Sequence, residues 1–179
     1  MNYKSLKKQI FQYRNFKICP IRFKDRILIM KWRNEQIYHL RQDKILTLED
    51  QNNYFSNVIS ELFDQDNPKQ ILFSFLKNDI CIGYGGLVNI NWIDKNAEIS
   101  FIMNTKFEHL FFYDYWYIYL KLIEAMGFKE LNFNKLYTYA YDLRPKLYFV
   151  LEDSGYSKEK EINDGPIKIV IHSKLNKNL

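Results

Sequence analysis

An acidic residue inside an apolar strand is the first feature of this sequence that could do chemistry. Glu98 lies in the run Ala97–Met103, whose alternation places Glu98, Ser100 and Ile102 on one face. A carboxylate in the middle of a central strand is costly to bury unless it is paired or functional. Glu98 is therefore a candidate general base that takes a proton from a substrate. An ion pair with a neighbouring lysine or arginine is the alternative interpretation.

Three glycines in four positions interrupt the strand that precedes Glu98. The segment reads Gly83-Tyr84-Gly85-Gly86-Leu87, and glycine weakens a strand unless a bulge or a close neighbour requires it. A β-bulge is one interpretation of this segment. The other is a ligand that lies flat against backbone from which no side chains project.

Other common catalytic signatures are missing from the sequence. It contains no GxxxxGK[ST] phosphate loop, no GxGxxG after a strand, no HExxH zinc pattern and no GxSxG nucleophile motif. The histidines and cysteines are isolated and lack metal-ligand spacing: His39, His109, His172, Cys19 and Cys81. We therefore expect no metal, two reduced thiols, and chemistry that uses a cofactor or direct attack by the substrate.

A strand that leads into a helix ending on glycine and an aromatic residue forms a third segment, from Lys135 to Tyr156. With the glycine and Glu98 segments, it resembles the GNAT superfamily of acetyl-CoA-dependent N-acyltransferases. The branch it resembles includes ribosomal-protein N-terminal acetylases and nucleotide-amino-sugar N-acetyltransferases. The resemblance covers about Ile18 to Leu175, and its best-matched pieces are Trp32-Arg33-Asn34, Gly83–Leu87, Ala97–Phe101 and Leu151–Tyr156.

The resemblance implies where the cofactor and substrate bind. In this superfamily, the last strand of a meander and the strand after the long helix splay apart, and the pantetheine arm binds between them. Here the splay would lie between Phe101–Asn104 and Lys135–Tyr141, with a backbone N–H near Ile102 or Met103 holding the thioester oxygen. The implied cofactor-binding residues are Phe101, Ile102, Met103, Asn104, Lys106, Tyr113, Asp114, Tyr115 and Arg144. Glu98 would be the base, Tyr148 or Tyr141 the acid, and Glu35, Tyr38, His39 and Tyr84 the substrate contacts.

Two positions depart from the superfamily pattern. The pyrophosphate loop usually contains glycines, but Thr105–Asp114 contains none. Backbone N–H groups and a helix N-terminus remain available to an anion there. Leu151 occupies the place at which many relatives carry the general-acid tyrosine, so the proton donor stays open between Tyr148, Tyr141 and direct release of the thiolate.

Periodicity and turn residues predict an α+β domain that could position these residues. The predicted order is one strand, two helices, three strands, a helix, a strand, a helix and two strands. The resemblance adds a GNAT-like fold with a single mixed, mostly antiparallel sheet of about six to seven strands, about four helices and a splay in the middle. The long helix is predicted over Asp114–Met126 with Gly127 as its C-terminal cap, and the last turn over Asn163–Pro166.

Length and charge limit the function classes. The chain of 179 residues suits one domain, and the predicted division is a basic segment at 1–17, a short or frayed helix, followed by an acyltransferase domain at 18–179. The first 17 residues carry five basic residues and no acid, and the remaining 21 basic residues balance 21 acidic ones. A neutral domain lacks the charge expected of a nucleic-acid-binding protein. No apolar run is long enough to span a membrane, so we expect a cytoplasmic monomer or homodimer without membrane insertion.

The preferred prediction is an acetyl-CoA-dependent N-acetyltransferase that acts on a primary amine of a small molecule. A nucleotide-linked amino sugar of surface-glycan biosynthesis is the preferred acceptor. A protein N-terminal or lysine acetyltransferase is one alternative. A non-catalytic GNAT-like binding or regulatory module is another, because of the loop without glycine.

Overall fold

A single mixed sheet organises the chain. The structure is a computed structural model that describes residues 1–165 and 167–177. Within those residues the sheet has eight strands, in the order β1-β2-β3-β4-β5-β6-β8-β7. The strands are β1 (Phe11–Tyr13), β2 (Phe16–Pro20), β3 (Ile71–Lys77), β4 (Ile80–Asn91), β5 (Asn96–Met103), β6 (Lys135–Tyr141), β7 (Ser157–Asp164) and β8 (Ile167–Leu175).

The helices lie between the strands in the predicted order, with one unpredicted helix, α4, in the segment expected to be a loop. They are α1 (Arg26–Glu35), α2 (Leu48–Asn53), α3 (Ser60–Leu62), α4 (Thr105–Leu110), α5 (Phe112–Glu124) and α6 (Lys146–Asp153). A π-helical stretch, Tyr54–Ile59, joins α2 to α3, and a second one, Ala125–Glu130, extends α5. No helix in the described part of the chain is long and apolar enough to cross a membrane.

The α+β class and the mixed, mostly antiparallel sheet are confirmed, with eight strands instead of six to seven. The additional strand is β1, which pairs with β2 as an antiparallel hairpin. The helix predicted for residues 1–17 is wrong, because this segment contains β1 and no helix. Its Tyr3 is 1% exposed, and the Tyr3 hydroxyl hydrogen-bonds to the backbone of Leu72. The segment therefore packs on the body of the protein.

Helix α5 and α1 cover opposite faces of the sheet. Adjacent residues of a strand point to opposite faces, and Tyr84 of β4 accepts a hydrogen bond from Arg33 of α1. At the next residue, Gly85, a Cβ atom would lie 2.6 Å from the Tyr119 hydroxyl of α5. On the α5 face, the rings of Tyr119 and Phe101 stack with centroids 3.8 Å apart. The sheet is thus the middle layer of three.

The end of α5 differs from the prediction. Gly127 was expected to cap the helix, but it lies buried inside the π-helical stretch that continues to Glu130. A Cβ atom at Gly127 would lie 2.9 Å from the side chain of Leu136. The small residue therefore serves helix–sheet packing. In the predicted turn at 163–166, Pro166 lies outside the described residues.

The sheet opens between β5 and β6. These strands pair in parallel through Asn96↔Lys135, Ala97↔Leu136 and Glu98↔Tyr137, and no further pair follows within the described residues. The predicted splay is therefore present, but it starts after Glu98 and Tyr137. The part of the prediction that placed Lys135–Tyr137 in the open region is wrong.

Candidate active site

A cavity of about 210 Å³ lies in the opening between β5 and β6. Of the residues predicted from the sequence, those that line it are Glu98, Phe101, Ile102, Tyr141, Arg144 and His39. The residues predicted for the site that do not line it are Met103, Asn104, Lys106, Tyr113, Asp114, Tyr115, Tyr148, Glu35, Tyr38 and Tyr84. The cavity walls therefore bring the predicted base and part of the predicted cofactor segment together.

Glu98 stands at the closed end of the opening, where strand pairing stops. The residue is 3% exposed, and both carboxylate oxygens have partners. Arg41 donates to Glu98 Oε1 and forms an ion pair with it. Asn89 Nδ2 donates to Oε2 over 2.8 Å. The ion pair that the sequence left as an alternative is present, and Glu98 also faces the cavity.

An irregularity in β4 positions the second partner of Glu98. The register of β4 with β5 shifts between Val88 and Asn91, and Asn89 has a φ of +48°. Asparagine is among the few residues other than glycine that tolerate this left-handed conformation. The bulge therefore allows the Asn89 amide to reach Glu98 Oε2.

Backbone amides of β5 beyond Glu98 are available on the open side. The Asn104 N–H donates to the carbonyl oxygen of Ile82 in β4 over 2.8 Å. Along a strand, the backbone groups of successive residues face the two neighbouring strands alternately. Ile102 therefore also faces β4, whereas the amides of Phe101 and Met103 face β6 beyond the last paired residues. Of the two donors predicted from the sequence, the Ile102 amide faces β4, whereas the Met103 amide faces the opening. Phe101 is the residue whose amide faces the opening and which also lines the cavity.

Thr138 supplies an additional polar group on the opposite wall. It lies on β6, lines the cavity and is 3% exposed. Its Oγ1 has no hydrogen-bond partner within residues 1–165 and 167–177. A buried hydroxyl without a partner is costly, which suits a ligand with polar groups. Thr138 could not be singled out from the sequence, because a threonine inside a strand is ordinary.

The predicted phosphate loop is mostly helical. Thr105–Leu110 forms α4, capped by Asn104, whose side chain accepts from the Lys106 amide over 3.1 Å. Glu108 of α4 is buried and accepts from Arg144 over 3.0 Å. Helix α5 then begins at Phe112 without a side-chain cap. Its first amides remain without a capping side chain, as a helix N-terminus that binds an anion requires.

Two of the tyrosines predicted in this region have other partners. Tyr115 is buried, and its hydroxyl accepts from Lys77 Nζ over 3.0 Å. Tyr113 is exposed and donates to Asp153 over 2.7 Å. Neither side chain lines the cavity. A contact of Tyr113 or Tyr115 with a phosphate at the start of α5 would therefore use the backbone amide.

The two candidate proton donors differ in position. Tyr148 donates to Asp142 over 2.6 Å, stacks on His172 and does not line the cavity. Burial, together with the hydrogen bond to Asp142, raises the pKa of Tyr148 far above its ordinary value. Tyr141 does line the cavity. The geometry therefore favours Tyr141 over Tyr148 as the donor.

The predicted substrate contacts after α1 also divide into two groups. His39 is 8% exposed and lines the cavity. Burial and the nearby Arg144 lower the pKa of His39 to about 3, so its imidazole is neutral near pH 7. Tyr38 is exposed, with its ring edge-on to His39, and Glu35 accepts from Thr105 over 2.5 Å. Tyr38 and Glu35 therefore do not line the cavity.

The Trp32-Arg33-Asn34 segment contributes more than the sequence indicated. Trp32 is 2% exposed and belongs to the core. Arg33 lines the cavity, donates to Tyr84 over 2.7 Å and to Gln42 over 2.8 Å, and makes no ion pair in the part of the chain described. Asn34 exchanges hydrogen bonds with both backbone groups of Leu46. The segment therefore fixes a charge and the loop beside it.

A second cavity, of about 310 Å³, adjoins the first at Arg33, which lines both. Its walls are mainly apolar and aromatic: Ile21, Ile29, Leu46, Tyr54, Phe55 and Tyr84, with Asp50 and Gln51. The Asp50 carboxylate is bonded to Lys44 and caps α2 together with Thr47. Arg33 therefore contributes to two spaces of different polarity.

The glycines of β4 are explained by their neighbours. A Cβ atom at Gly85 would lie 2.0 Å from the Ser100 carbonyl oxygen, and one at Gly86 would lie 1.9 Å from that of Ile71. Both contacts are with strands of the same sheet. The predicted β-bulge is present next to Gly83, where the register of β4 with β3 shifts between Phe75 and Leu76. Close strand neighbours account for Gly85 and Gly86, and these residues require no ligand.

The sequence and the fold were both compared with those of known proteins. A sequence profile of the acetyltransferase (GNAT) domain family matches residues 18–164. No curated protein sequence matches the chain significantly. Spermidine N-acetyltransferase from Vibrio cholerae, solved in complex with CoA and spermine, superimposes with a TM-score of 0.78 at 16% identity, covering 92% of this chain and 97% of that one. A GNAT-family acetyltransferase from Bacillus anthracis gives 0.74 at 17% identity, covering 94% and 99%.

Proposed function

The chain belongs to the GNAT acetyltransferase family, and from that premise we propose that it transfers an acetyl group from acetyl-CoA to a primary amine of a small molecule. We propose further that the acceptor carries an anionic group, as a nucleotide-linked amino sugar does. The observation that carries this second step is the charge of the cavity wall. Three arginines, Arg33, Arg41 and Arg144, line the cavity with a single acid, Glu98.

Arg33 is the most informative of these charges. Arg41 and Arg144 are paired with Glu98 and Glu108, whereas Arg33 hydrogen-bonds to the neutral side chains of Gln42 and Tyr84. A half-buried guanidinium without a counter-ion is costly unless a ligand provides the negative charge. Phosphate oxygens fit the fork of donors that arginine presents. A polycationic acceptor such as spermidine would meet repulsion in the same place.

The second cavity gives the rest of such an acceptor a place. An amine next to Glu98 and a phosphate at Arg33 would direct the remaining part of the molecule toward Tyr54 and Phe55. Aromatic and apolar walls suit the flat face of a nucleobase. The amine of such an acceptor would therefore lie at Glu98, its phosphate at Arg33 and its nucleobase in the second cavity.

The opening between β5 and β6 offers hydrogen-bonding groups that suit the pantetheine arm of acetyl-CoA. The backbone of Phe101 and Met103 and the unpartnered Thr138 hydroxyl offer hydrogen bonds to the polar groups of a pantetheine arm. When bound, acetyl-CoA supplies the acetyl group as a thioester. The Phe101 amide would donate to the thioester oxygen as negative charge develops, a contribution of about 10²–10³ in rate for one such donor.

Proton transfer completes the mechanism. Glu98 takes the proton of the acceptor ammonium group, directly or through one water, so that the nitrogen can attack. The carbon–nitrogen bond forms and the carbon–sulfur bond breaks. The second proton lost by the nitrogen goes to the thiolate, and Tyr141 on the cavity wall is the preferred residue to pass it.

Two measurements test the proposal. Isothermal titration should show that acetyl-CoA binds; no binding at high micromolar concentration would leave a non-catalytic module. In a thiol-release assay, Arg33→Met should raise the KM of a UDP-linked amino sugar by roughly tenfold or more, the loss of one charge-assisted contact, without changing the KM of acetyl-CoA. An unchanged acceptor KM would contradict phosphate binding at Arg33.

A further inference from the structure

The predicted base, Glu98, forms an ion pair with Arg41, which also lines the cavity. We propose that Arg41 moves from Glu98 to the anionic group of the acceptor, and that this exchange frees Glu98 to take the proton of the amine. The inference rests on the proposed function and adds to it a gate: the base becomes available only to amines that also carry negative charge. Arg41 would then determine specificity.

The ion pair is asymmetric in its burial, and this asymmetry identifies the partner that moves. The side chain of Arg41 is 45% exposed, whereas that of Glu98 is 4% exposed. Glu98 is also held by Asn89 on its second oxygen. Arg41 makes one side-chain hydrogen bond within the described residues, the one to Glu98, and lies over the Tyr139 ring at 4.8 Å. The guanidinium can therefore leave while the carboxylate stays.

The backbone around Arg41 supports a motion of the side chain alone. Arg41 lies between α1 and α2, in a segment without regular structure. The next residues are fixed, because Gln42 bonds to Arg33 and Asn34, and Leu46 bonds to Asn34. Arginine has several rotatable bonds and can swing from a fixed backbone position. Arg33, which lines the same cavity, would hold the same anionic group from the other side.

After the exchange, each charged group again has a partner of opposite charge. Before binding, the Glu98 carboxylate is compensated by Arg41. Afterwards it is compensated by the acceptor ammonium group, and Arg41 is compensated by the phosphate or carboxylate of the acceptor. An amine without an acid can also approach Glu98, but Arg41 must then move into solvent without a new partner. Such acceptors should be used less efficiently.

Matched acceptors test this gate. Glucosamine 1-phosphate and glucosamine differ in one phosphate, and thiol release from acetyl-CoA gives kcat/KM for each. We expect wild-type enzyme to prefer the phosphorylated amine by roughly tenfold or more, and Arg41→Ala to lose most of that preference by gaining on glucosamine relative to its phosphate. Lys44→Ala is the control, because it removes one positive charge from the same segment outside both cavities. It should keep the wild-type ratio.

Two results would overturn the inference. If Arg41→Ala keeps the wild-type ratio, Arg41 does not act as the gate, while the acetyltransferase function stands. If wild-type enzyme acetylates neither amine nor a UDP-linked amino sugar, the proposed function fails and the inference with it. Arg41→Lys keeps the charge and should keep most of the ratio. Thermal melting of each variant shows whether a lost ratio comes from a lost fold.

Discussion

At the scale of single residues, Glu98 carries the chemistry and its partners decide when it acts. The sequence marked Glu98 as an acid inside a central strand, and the structure buries it to 3% exposure on the wall of the cavity. The sequence could not identify Arg41 and Asn89 as its partners. Arg41 comes from an irregular segment and Asn89 from a bulge, and neither contact follows from periodicity.

Glu98→Gln should reduce kcat strongly, since the amide has the shape of the carboxylate but does not accept a proton. A positioned base contributes about 10²–10⁴ in rate. The affinity for acetyl-CoA, measured by calorimetry, should be unchanged. Glu61→Gln on the exposed side of α3 is the control. Turnover of Glu98→Gln at the wild-type level would remove Glu98 as the base.

His39 should make stability depend on pH. Its pKa is about 3 in the folded protein and about 6.5 in the unfolded chain, so between these values the unfolded state binds more protons. Stability is therefore lost as pH falls below about 6.5. Between pH 7 and pH 5, wild-type protein should lose about 2 kcal/mol of unfolding free energy that His39→Gln does not lose.

Urea unfolding at the two pH values measures this difference. His109→Gln is the control, because His109 is exposed on α4. Its pH dependence should match that of wild-type protein. The same pH dependence in His39→Gln as in wild-type protein would show that His39 is not held neutral by the fold.

At the scale of elements, the opening between β5 and β6 begins where the pairing of these two strands ends. Motif order predicted this opening, and pairing does end after Glu98 and Tyr137. The first open residue could not be predicted, because it depends on strand register. The α5 boundary was missed for a related reason: Gly127 resembles a cap in sequence, but Leu136 from another element requires its small size.

Gly85→Ala should destabilise the protein by about 3 kcal/mol or more, since its Cβ would strike the Ser100 carbonyl and a central strand cannot shift freely. Gly127→Ala is a matched comparison, because the atom its Cβ approaches is the end of the Leu136 side chain, at 2.9 Å. It should cost clearly less. Chemical denaturation measures both, and equal losses would contradict the backbone clash at Gly85.

At the scale of the whole molecule, the distribution of charge says more about the acceptor than the fold does. The Vibrio cholerae structure it resembles is of a spermidine N-acetyltransferase, and 16% identity transfers the fold but no substrate. The near-neutral domain places Arg33, Arg41 and Arg144 around one cavity. Composition predicted the neutrality, whereas the clustering appears only when α1, the segment after it and the turn between β6 and α6 meet.

The most direct test of the account compares acceptors of opposite charge. Thiol release from acetyl-CoA would be measured with a UDP-linked amino sugar and with spermidine, at matched concentrations and ionic strength. The arginine-lined cavity predicts a higher kcat/KM for the nucleotide-linked amine, by roughly tenfold or more. An equal or higher value for spermidine would contradict it.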